Sequence, residues 1–138
     1  MSFVLDNSVA MRWCFEDHSP YAEQVLEEML VGEQAHVPVL WLYEVISVLA
    51  EAEQTNILSP QKVQGFFEDL RALEIDVDAE MEKEHLFRDA HRLALKYRLT
   101  GYDAAYLELA LRKQMPLASL DKALNKAAVA AGVILFQP

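Results

Sequence analysis

The chain is organised around one short stretch near its start, Phe3-Val4-Leu5-Asp6-Asn7-Ser8. Three apolar residues, with β-formers among them, predict a short buried strand, and a carboxylate follows directly where that strand ends. In an open parallel α/β sheet, ligands bind at the carboxyl ends of the strands. Asp6 therefore lies where a catalytic group or a metal ligand is expected. The same position also suits a residue, Asp6 or Ser8, that only caps the following helix.

The rest of the chain alternates between helical and strand patterns. Helical periodicity predicts helices over residues 9–15, 21–31, 40–56, 60–73, 81–97, 102–113 and 122–131. Short apolar segments predict further strands at residues 36–39, 75–77, 117–120 and 133–136. Strands separated by helices require right-handed crossovers. We therefore predict one domain over residues 1–138, with a three-layer α/β/α fold and a central, mostly parallel sheet of five strands.

Composition and charge restrict the class of protein. The formal net charge of −10 argues against a broad basic face that binds nucleic acid non-specifically, but not against a nuclease that holds a cation with its own carboxylates. Cys14 is the only cysteine and no signal peptide is visible, so we expect a cytoplasmic protein without internal disulfides. No uncharged run is long enough to cross a bilayer, so we expect no membrane partner.

Much of the negative charge is concentrated in one short segment, residues 74–84. Its acidic residues alternate with other types and Lys83 is the only base among them. Runs of like charge are usually hydrated, so we interpret this segment as a solvated edge of the domain.

Four carboxylates lie at the ends of predicted elements, where the pattern of core residues does not account for them. Asp6 ends the first strand and Asp121 follows the fourth, while Glu44 and Asp103 interrupt apolar neighbourhoods near the starts of two helices. Partial burial of an unpaired carboxylate costs on the order of several kcal/mol, so each is expected to meet a cation or a hydrogen-bond donor.

Each of these acids also has a local explanation. Asp121 is placed to be an N-cap, Asp103 to form a capping box with Thr100, and Glu44 to interact with a helix dipole. Taken together, acids at strand ends and at neighbouring helix starts can instead converge on the switch point of the sheet. Oxygen-only ligands of this kind suit a hard divalent cation.

Four segments also match a known pattern in order and spacing: Val4 to Val9, Pro38 to Val45, Tyr102 to Leu107, and Pro116 to Leu124. Over nearly the whole chain, they resemble the PIN domain family and, within it, the toxins of VapC type. The resemblance implies an endoribonuclease that uses Mg²⁺ or Mn²⁺ to hydrolyse RNA phosphodiester bonds. It also implies that the protein is the toxin of a type II toxin-antitoxin pair. It also implies the roles of particular residues. The catalytic and metal-binding quartet is Asp6, Glu44, Asp103 and Asp121, and Ser119 supports it.

The resemblance further implies an RNA substrate, a cognate antitoxin and a homodimer. Large apolar residues on the third and fourth helices exceed what one small core needs, which favours such contacts. They are Trp41, Leu42, Phe66, Phe67 and Leu70. Three basic residues flank the site in sequence and are candidates for phosphate contacts or for surface salt bridges: Arg12, Lys122 and Lys126.

Two other functions remain open at this stage. A housekeeping RNA-processing PIN nuclease has the same sequence pattern as a toxin. A non-cleaving regulatory module of the receiver type is also a small parallel α/β domain, but it needs a lysine after its last strand, and here Phe136-Gln137-Pro138 follows instead. No Gly-rich phosphate loop is present to favour nucleotide chemistry.

Overall fold

The computed structural model describes residues 2–138, in which strands alternate with helices. The strands are β1 (Phe3–Leu5), β2 (Ala35–Val37), β3 (Ile75–Val77) and β4 (Leu117–Ala118). The first four helices are α1 (Asn7–Cys14), α2 (Pro20–Leu30), α3 (Val39–Gln54) and α4 (Pro60–Ala72). A π-helical segment (His85–Ala90) then leads into α5 (His91–Tyr97), followed by α6 (Gly101–Lys113) and α7 (Lys122–Ala130).

The sheet is parallel throughout, in the order β3-β2-β1-β4. The chain moves outward from β1 through β2 to β3, and then crosses back to place β4 on the other side of β1. This reversal puts the switch point between β1 and β4. All three residues of β1 are fully buried, as expected for a central strand with helices on both faces. The predicted three-layer α/β class is therefore confirmed.

The prediction of five strands is wrong, because the sheet described here has four. Residues 133–136 approach β4, but only Leu135 pairs with Leu117, as an isolated bridge. On one side, the Val133 amide bonds back to Ala128 at the end of α7. On the other, the Phe136 ring stacks on Phe3 at 4.2 Å. The segment is therefore held by its helix and by the core, and it pairs with β4 at one residue only.

Side-chain caps set several helix starts. Ser19, Ser59 and Thr100 each accept a hydrogen bond from the amide three residues later, and Pro20 and Pro60 follow their capping serines. A serine followed by proline is a usual start signal of a helix, and here it precedes both α2 and α4. The helix predicted over residues 81–97 begins later, because the Glu82 amide donates to His85 Nδ1 and a π-helical turn follows.

The interpretation of residues 74–84 as a solvated edge is wrong at Asp78. That residue is only 7% exposed, and its carboxylate accepts two hydrogen bonds from the guanidinium of Arg112, the shorter at 2.6 Å. Arg112 also donates to Glu108, one turn earlier on α6 and likewise buried. We call Asp78, Glu108 and Arg112 the ion triad. It attaches the end of α6 to the segment that follows β3.

Within residues 2–138, none of the helices combines the length and the apolar character that crossing a membrane would require.

Candidate active site

The ends of β1 and β4 lie side by side at the switch point. Leu5 pairs with Ala118, and the Asp6 amide donates to the Ala118 carbonyl at 2.9 Å. The parallel register therefore places Asp6 beside Ser119, although 113 positions separate them in the chain. This is the edge of a parallel α/β sheet where ligands bind.

Two hydroxyl groups hold the carboxylate of Asp6. Its Oδ2 accepts hydrogen bonds from Ser8 Oγ and Ser119 Oγ, both at 2.7 Å. Ser8 Oγ in turn accepts from the Leu120 amide at 2.9 Å, which ties the β4 turn to the start of α1. The Asp6 side chain makes no capping bond to α1, so the alternative in which it only caps that helix is wrong. Asp6 is instead an almost fully buried, oriented carboxylate.

Asp121 does cap a helix, as its local explanation predicted. Its Oδ1 accepts from the Leu124 amide at 3.0 Å at the start of α7. Its own amide donates to Ser119 Oγ, and Asn125 Nδ2 donates to the Ser119 carbonyl at 2.8 Å. The cap engages only one of the two carboxylate oxygens, so capping and a role in the site are compatible.

Glu44 and Asp103 extend toward Asp6 from α3 and α6. The hydroxyl of Tyr106 donates to Glu44 Oε1 at 2.5 Å. The amide of Asp103 donates to Thr100 Oγ1, but no residue within 2–138 donates to the Asp103 carboxylate. The capping box expected between Thr100 and Asp103 is therefore only half formed, and the Asp103 carboxylate has no donor of its own.

The charges of Asp6, Glu44, Asp103 and Asp121 act on one another. Burial raises the pKa of Asp6, and the nearby charge of Asp121 raises it further against the effect of the two serines. Burial also raises the pKa of Glu44, to which Asp6 and Asp103 add. For Asp103, burial together with the charges of Asp121 and Asp6 raises the pKa to about 6. Such mutual repulsion requires carboxylates close together in a poorly hydrated place.

The donor set fits a hard divalent cation. All four side chains offer oxygen, and a fifth oxygen, Asn7 Oδ1 next to Asp6 in the chain, is buried without a donor among residues 2–138. In the same part of the chain, no group of three or more acidic, histidine or cysteine side chains is arranged so that it could hold a metal ion. Mg²⁺ does not need such a group, because it keeps several waters and takes one or two carboxylates directly.

The three candidate phosphate-binding residues differ in whether an acidic side chain already pairs with them. Arg12 pairs with Asp17 at 2.7 Å on the surface, as its salt-bridge alternative predicted. Lys122 and Lys126 lie exposed on α7, the helix that Asp121 caps, and form no ion pair within residues 2–138. Of the three candidates, these two lysines are therefore the ones without an acidic partner in residues 2–138.

Sequence reasoning missed three residues that hold the site: Ser8, Tyr106 and Asn125. Ser8 was considered only as a cap, and its position two residues after Asp6 was the available signal. Tyr106 has the helical spacing of a core residue, and it is fully buried. Its hydroxyl reaches Glu44 across 62 positions, which no local pattern reveals.

The fold and this acidic site define the class of protein. The chain belongs to the PIN domain family, whose sequence pattern matches residues 3–130. It is 32% identical over 129 residues to ribonuclease VapC3 of Pyrobaculum aerophilum, a match that covers 90% of this chain and 92% of that protein. The resemblance inferred from the four motifs is therefore confirmed.

Solved structures show the same fold at low sequence identity. The VapBC2 structure from Rickettsia felis, bound to a DNA fragment from its promoter, matches with a TM-score of 0.71 at 11% identity, over 99% of this chain and 98% of that chain. A toxin-antitoxin complex from Klebsiella pneumoniae matches with a TM-score of 0.61 at 16% identity, over 86% of each chain.

Proposed function

We propose that this chain is a divalent-metal-dependent endoribonuclease of VapC type, the toxin of a toxin-antitoxin pair. One observation supports the proposal: Asp6, Glu44, Asp103 and Asp121 act on one another's charge near the switch point of the sheet, and full or partial burial raises the pKa of three of them. Without a cation this arrangement is unfavourable, because like charges repel in a place of low hydration. The likeness to ribonuclease VapC3 supports RNA as the substrate.

Asp6, Glu44, Asp103 and Asp121 would hold the cation, Mg²⁺ or Mn²⁺. When bound, such an ion makes water more acidic and neutralises negative charge on a phosphodiester. The protein orients the carboxylates that would hold the cation. Ser8 and Ser119 fix one oxygen of Asp6, and the Leu124 amide fixes one oxygen of Asp121. Lys122 and Lys126 would meet RNA phosphates beside the site.

The direct test is incubation of the purified protein with a panel of tRNA and rRNA fragments, with Mg²⁺ and with EDTA. We expect cleavage at defined positions with Mg²⁺ and none with EDTA. Equal cleavage in both conditions would overturn the metal dependence, and cleavage of no RNA would overturn the nuclease.

A toxin and a housekeeping nuclease differ in their effect on growth. Both solved complexes named above are toxin-antitoxin assemblies, which supports the toxin and a cognate antitoxin partner. We expect expression of this chain to arrest growth, and co-expression of a small antitoxin encoded beside it to restore growth. The reducing, cytoplasmic setting predicted from the single cysteine is part of this proposal. A non-cleaving receiver-like module would cause no arrest that depends on Asp6.

The stability of the metal-free protein tests whether Asp103 belongs to the site. Because folding raises its pKa to about 6, the folded state binds the proton more tightly than the unfolded state does. Stability is therefore lost as pH rises from about 4 to about 6, by about 1–2 kcal/mol after allowing for solvent screening. We expect Asp103→Asn to remove this loss, so that in EDTA above pH 6 the variant melts at a higher temperature than the wild type.

Mg²⁺ should reverse the order of the two melting temperatures, so that the wild type becomes the more stable protein. Binding to the folded state stabilises the wild type by an amount that grows with Mg²⁺ concentration, and it should stabilise Asp103→Asn less. If Asp103 served only in capping, the substitution would instead cost up to about 1 kcal/mol and leave the response to Mg²⁺ unchanged. Thermal melts of both proteins in EDTA and in millimolar Mg²⁺ distinguish the two.

The proposed homodimer needs a different surface from the one that the sequence suggested. Trp41 and Phe66 are buried in the core, and Phe67 and Leu70 pack against it, so only Leu42 of that group remains exposed. Exposed apolar side chains instead form one stripe along α3, with the spacing of a single helix face. We call it the α3 stripe: Val39, Leu42, Tyr43 and Ile46.

We expect a charge in the α3 stripe to weaken self-association. Ile46 is 53% exposed, so Ile46→Glu leaves the core intact while placing a carboxylate in the proposed contact. Light scattering at micromolar concentration should give a dimer for the wild type and a monomer for the variant. Leu95→Glu, at a more exposed position on α5, is the matched control and should remain dimeric. A monomeric wild type would contradict the dimer.

A further inference from the structure

One hydrogen bond links the hydrophobic core to the acidic site. Tyr106 is fully buried on α6, and its hydroxyl donates to Glu44 Oε1 at 2.5 Å. Tyr106 lies three residues after Asp103, so one face of α6 contributes both an acid of the site and a hydroxyl donor to it.

A buried tyrosine hydroxyl needs a hydrogen-bond acceptor. In a second tyrosine of this chain, Tyr21, that acceptor belongs to the backbone. The Tyr21 hydroxyl donates to the Phe136 carbonyl at 2.8 Å, remote from the acids in the sequence and bonded to backbone. Tyr106 is bonded to a flexible carboxylate. Burial and the hydrogen bond to Glu44 raise the pKa of Tyr106 far above its ordinary value, so the hydroxyl keeps its proton and can donate it to Glu44.

In two other acids of the site, hydrogen bonds hold one oxygen of the carboxylate. Asp6 Oδ2 is held by two serines, and Asp121 Oδ1 by a backbone amide. Glu44 has the longest side chain and lies on a helix whose neighbouring Tyr43 is 68% exposed. Among residues 2–138, Tyr106 is the one donor to its carboxylate. Without that bond, Glu44 is free to rotate toward solvent.

We infer that Tyr106 is a positioning residue: its hydroxyl holds Glu44 Oε1 and keeps this carboxylate near Asp6 and Asp103, the acids that would hold the cation with it. This inference rests on the proposed function. Second-sphere hydrogen bonds of this kind change metal affinity or activity by about 10–100-fold when they are removed.

The test measures Mn²⁺ affinity by calorimetry and by the signal of free Mn²⁺ in electron paramagnetic resonance. Tyr106→Phe keeps the buried ring and removes only the hydroxyl, and we expect it to weaken Mn²⁺ binding by about tenfold or more. Tyr21→Phe removes a hydroxyl hydrogen bond elsewhere and should bind Mn²⁺ like the wild type. Equal affinity in Tyr106→Phe and wild type overturns the inference.

A double-mutant cycle separates positioning from a general effect on the fold. If Tyr106 acts through Glu44, then Tyr106→Phe has no further effect on Mn²⁺ affinity in a Glu44→Ala background. An equal loss in both backgrounds shows that Tyr106 acts through packing alone, and overturns the inference. Failure of the wild type both to bind Mn²⁺ and to cleave RNA overturns the proposed function itself, which is a different result.

A measurement on the wild type does not depend on the folding of Tyr106→Phe. With tyrosine labelled at Cζ with ¹³C, the Tyr106 resonance should shift when Mg²⁺ is added and again in Glu44→Ala, because the acceptor of its hydroxyl changes. The Tyr21 resonance should shift in neither case. If the Tyr106 resonance shifts neither on addition of Mg²⁺ nor in Glu44→Ala, the inference is contradicted.

Discussion

Replacing Asp6 by Asn is expected to reduce RNA cleavage by at least about 10³-fold, the scale on which removing one member of a catalytic unit acts. Asn has the same shape, and its carbonyl oxygen can still accept from Ser8 and Ser119. The substitution removes only the charge. Because burial and Asp121 already raise the pKa of Asp6, a neutral group is tolerated there, so the fold is retained.

The measurement is the rate of RNA cleavage in millimolar Mg²⁺, with circular dichroism and a thermal melt on the same samples. Asp69→Asn is the matched control, since it makes the same chemical change at an exposed position on α4. The control should cleave at the wild-type rate. Asp6→Asn retaining more than about a tenth of the wild-type rate would contradict a catalytic role for this carboxylate.

Replacing Arg112 by Met is expected to destabilise the protein by about 3–5 kcal/mol, because it leaves two buried carboxylates without their partner. In the ion triad, Arg112 donates to Asp78 at 2.6 Å and to Glu108 at 2.7 Å, and both acids are less than a tenth exposed. Met has a similar length and keeps the contacts of the side-chain stem, so the loss reports the charge and its hydrogen bonds.

Urea denaturation at pH 7 gives the free energy of unfolding for this comparison. The control is Arg92→Met, which removes an exposed arginine 3.9 Å from Asp89 and should change stability by less than about 1 kcal/mol. A loss below about 1 kcal/mol in Arg112→Met would contradict a stabilising ion triad.

The acid dependence of the wild type provides a second test of the ion triad. Burial raises the pKa of Asp78, but hydrogen bonds and charge from Arg112 outweigh it, so the pKa lies below its ordinary value. The unfolded state therefore takes up the proton first as pH falls, and this contribution, complete above about pH 4, is lost on further acidification. In Arg112→Met the same stability loss is present already at neutral pH.

Local features of this protein could be predicted from its sequence, because neighbouring residues determine them. Apolar periodicity located the helices and the strands β1 to β4, and a serine followed by proline marked the start of α4. The positions of the four acids at element ends were also visible, since a parallel sheet brings strand ends to one edge. Their role in binding a cation stays a prediction.

Contacts between distant segments depended on the tertiary structure. The fifth strand was lost to competition from the end of α7 and from packing on Phe3, which strand propensity does not include. Asp78 was buried because Arg112, 34 positions later, neutralises it. The core also took up Trp41 and left the α3 stripe exposed. In each case, the outcome depended on which groups the folded chain brings within contact distance, and sequence patterns report only those within a few residues.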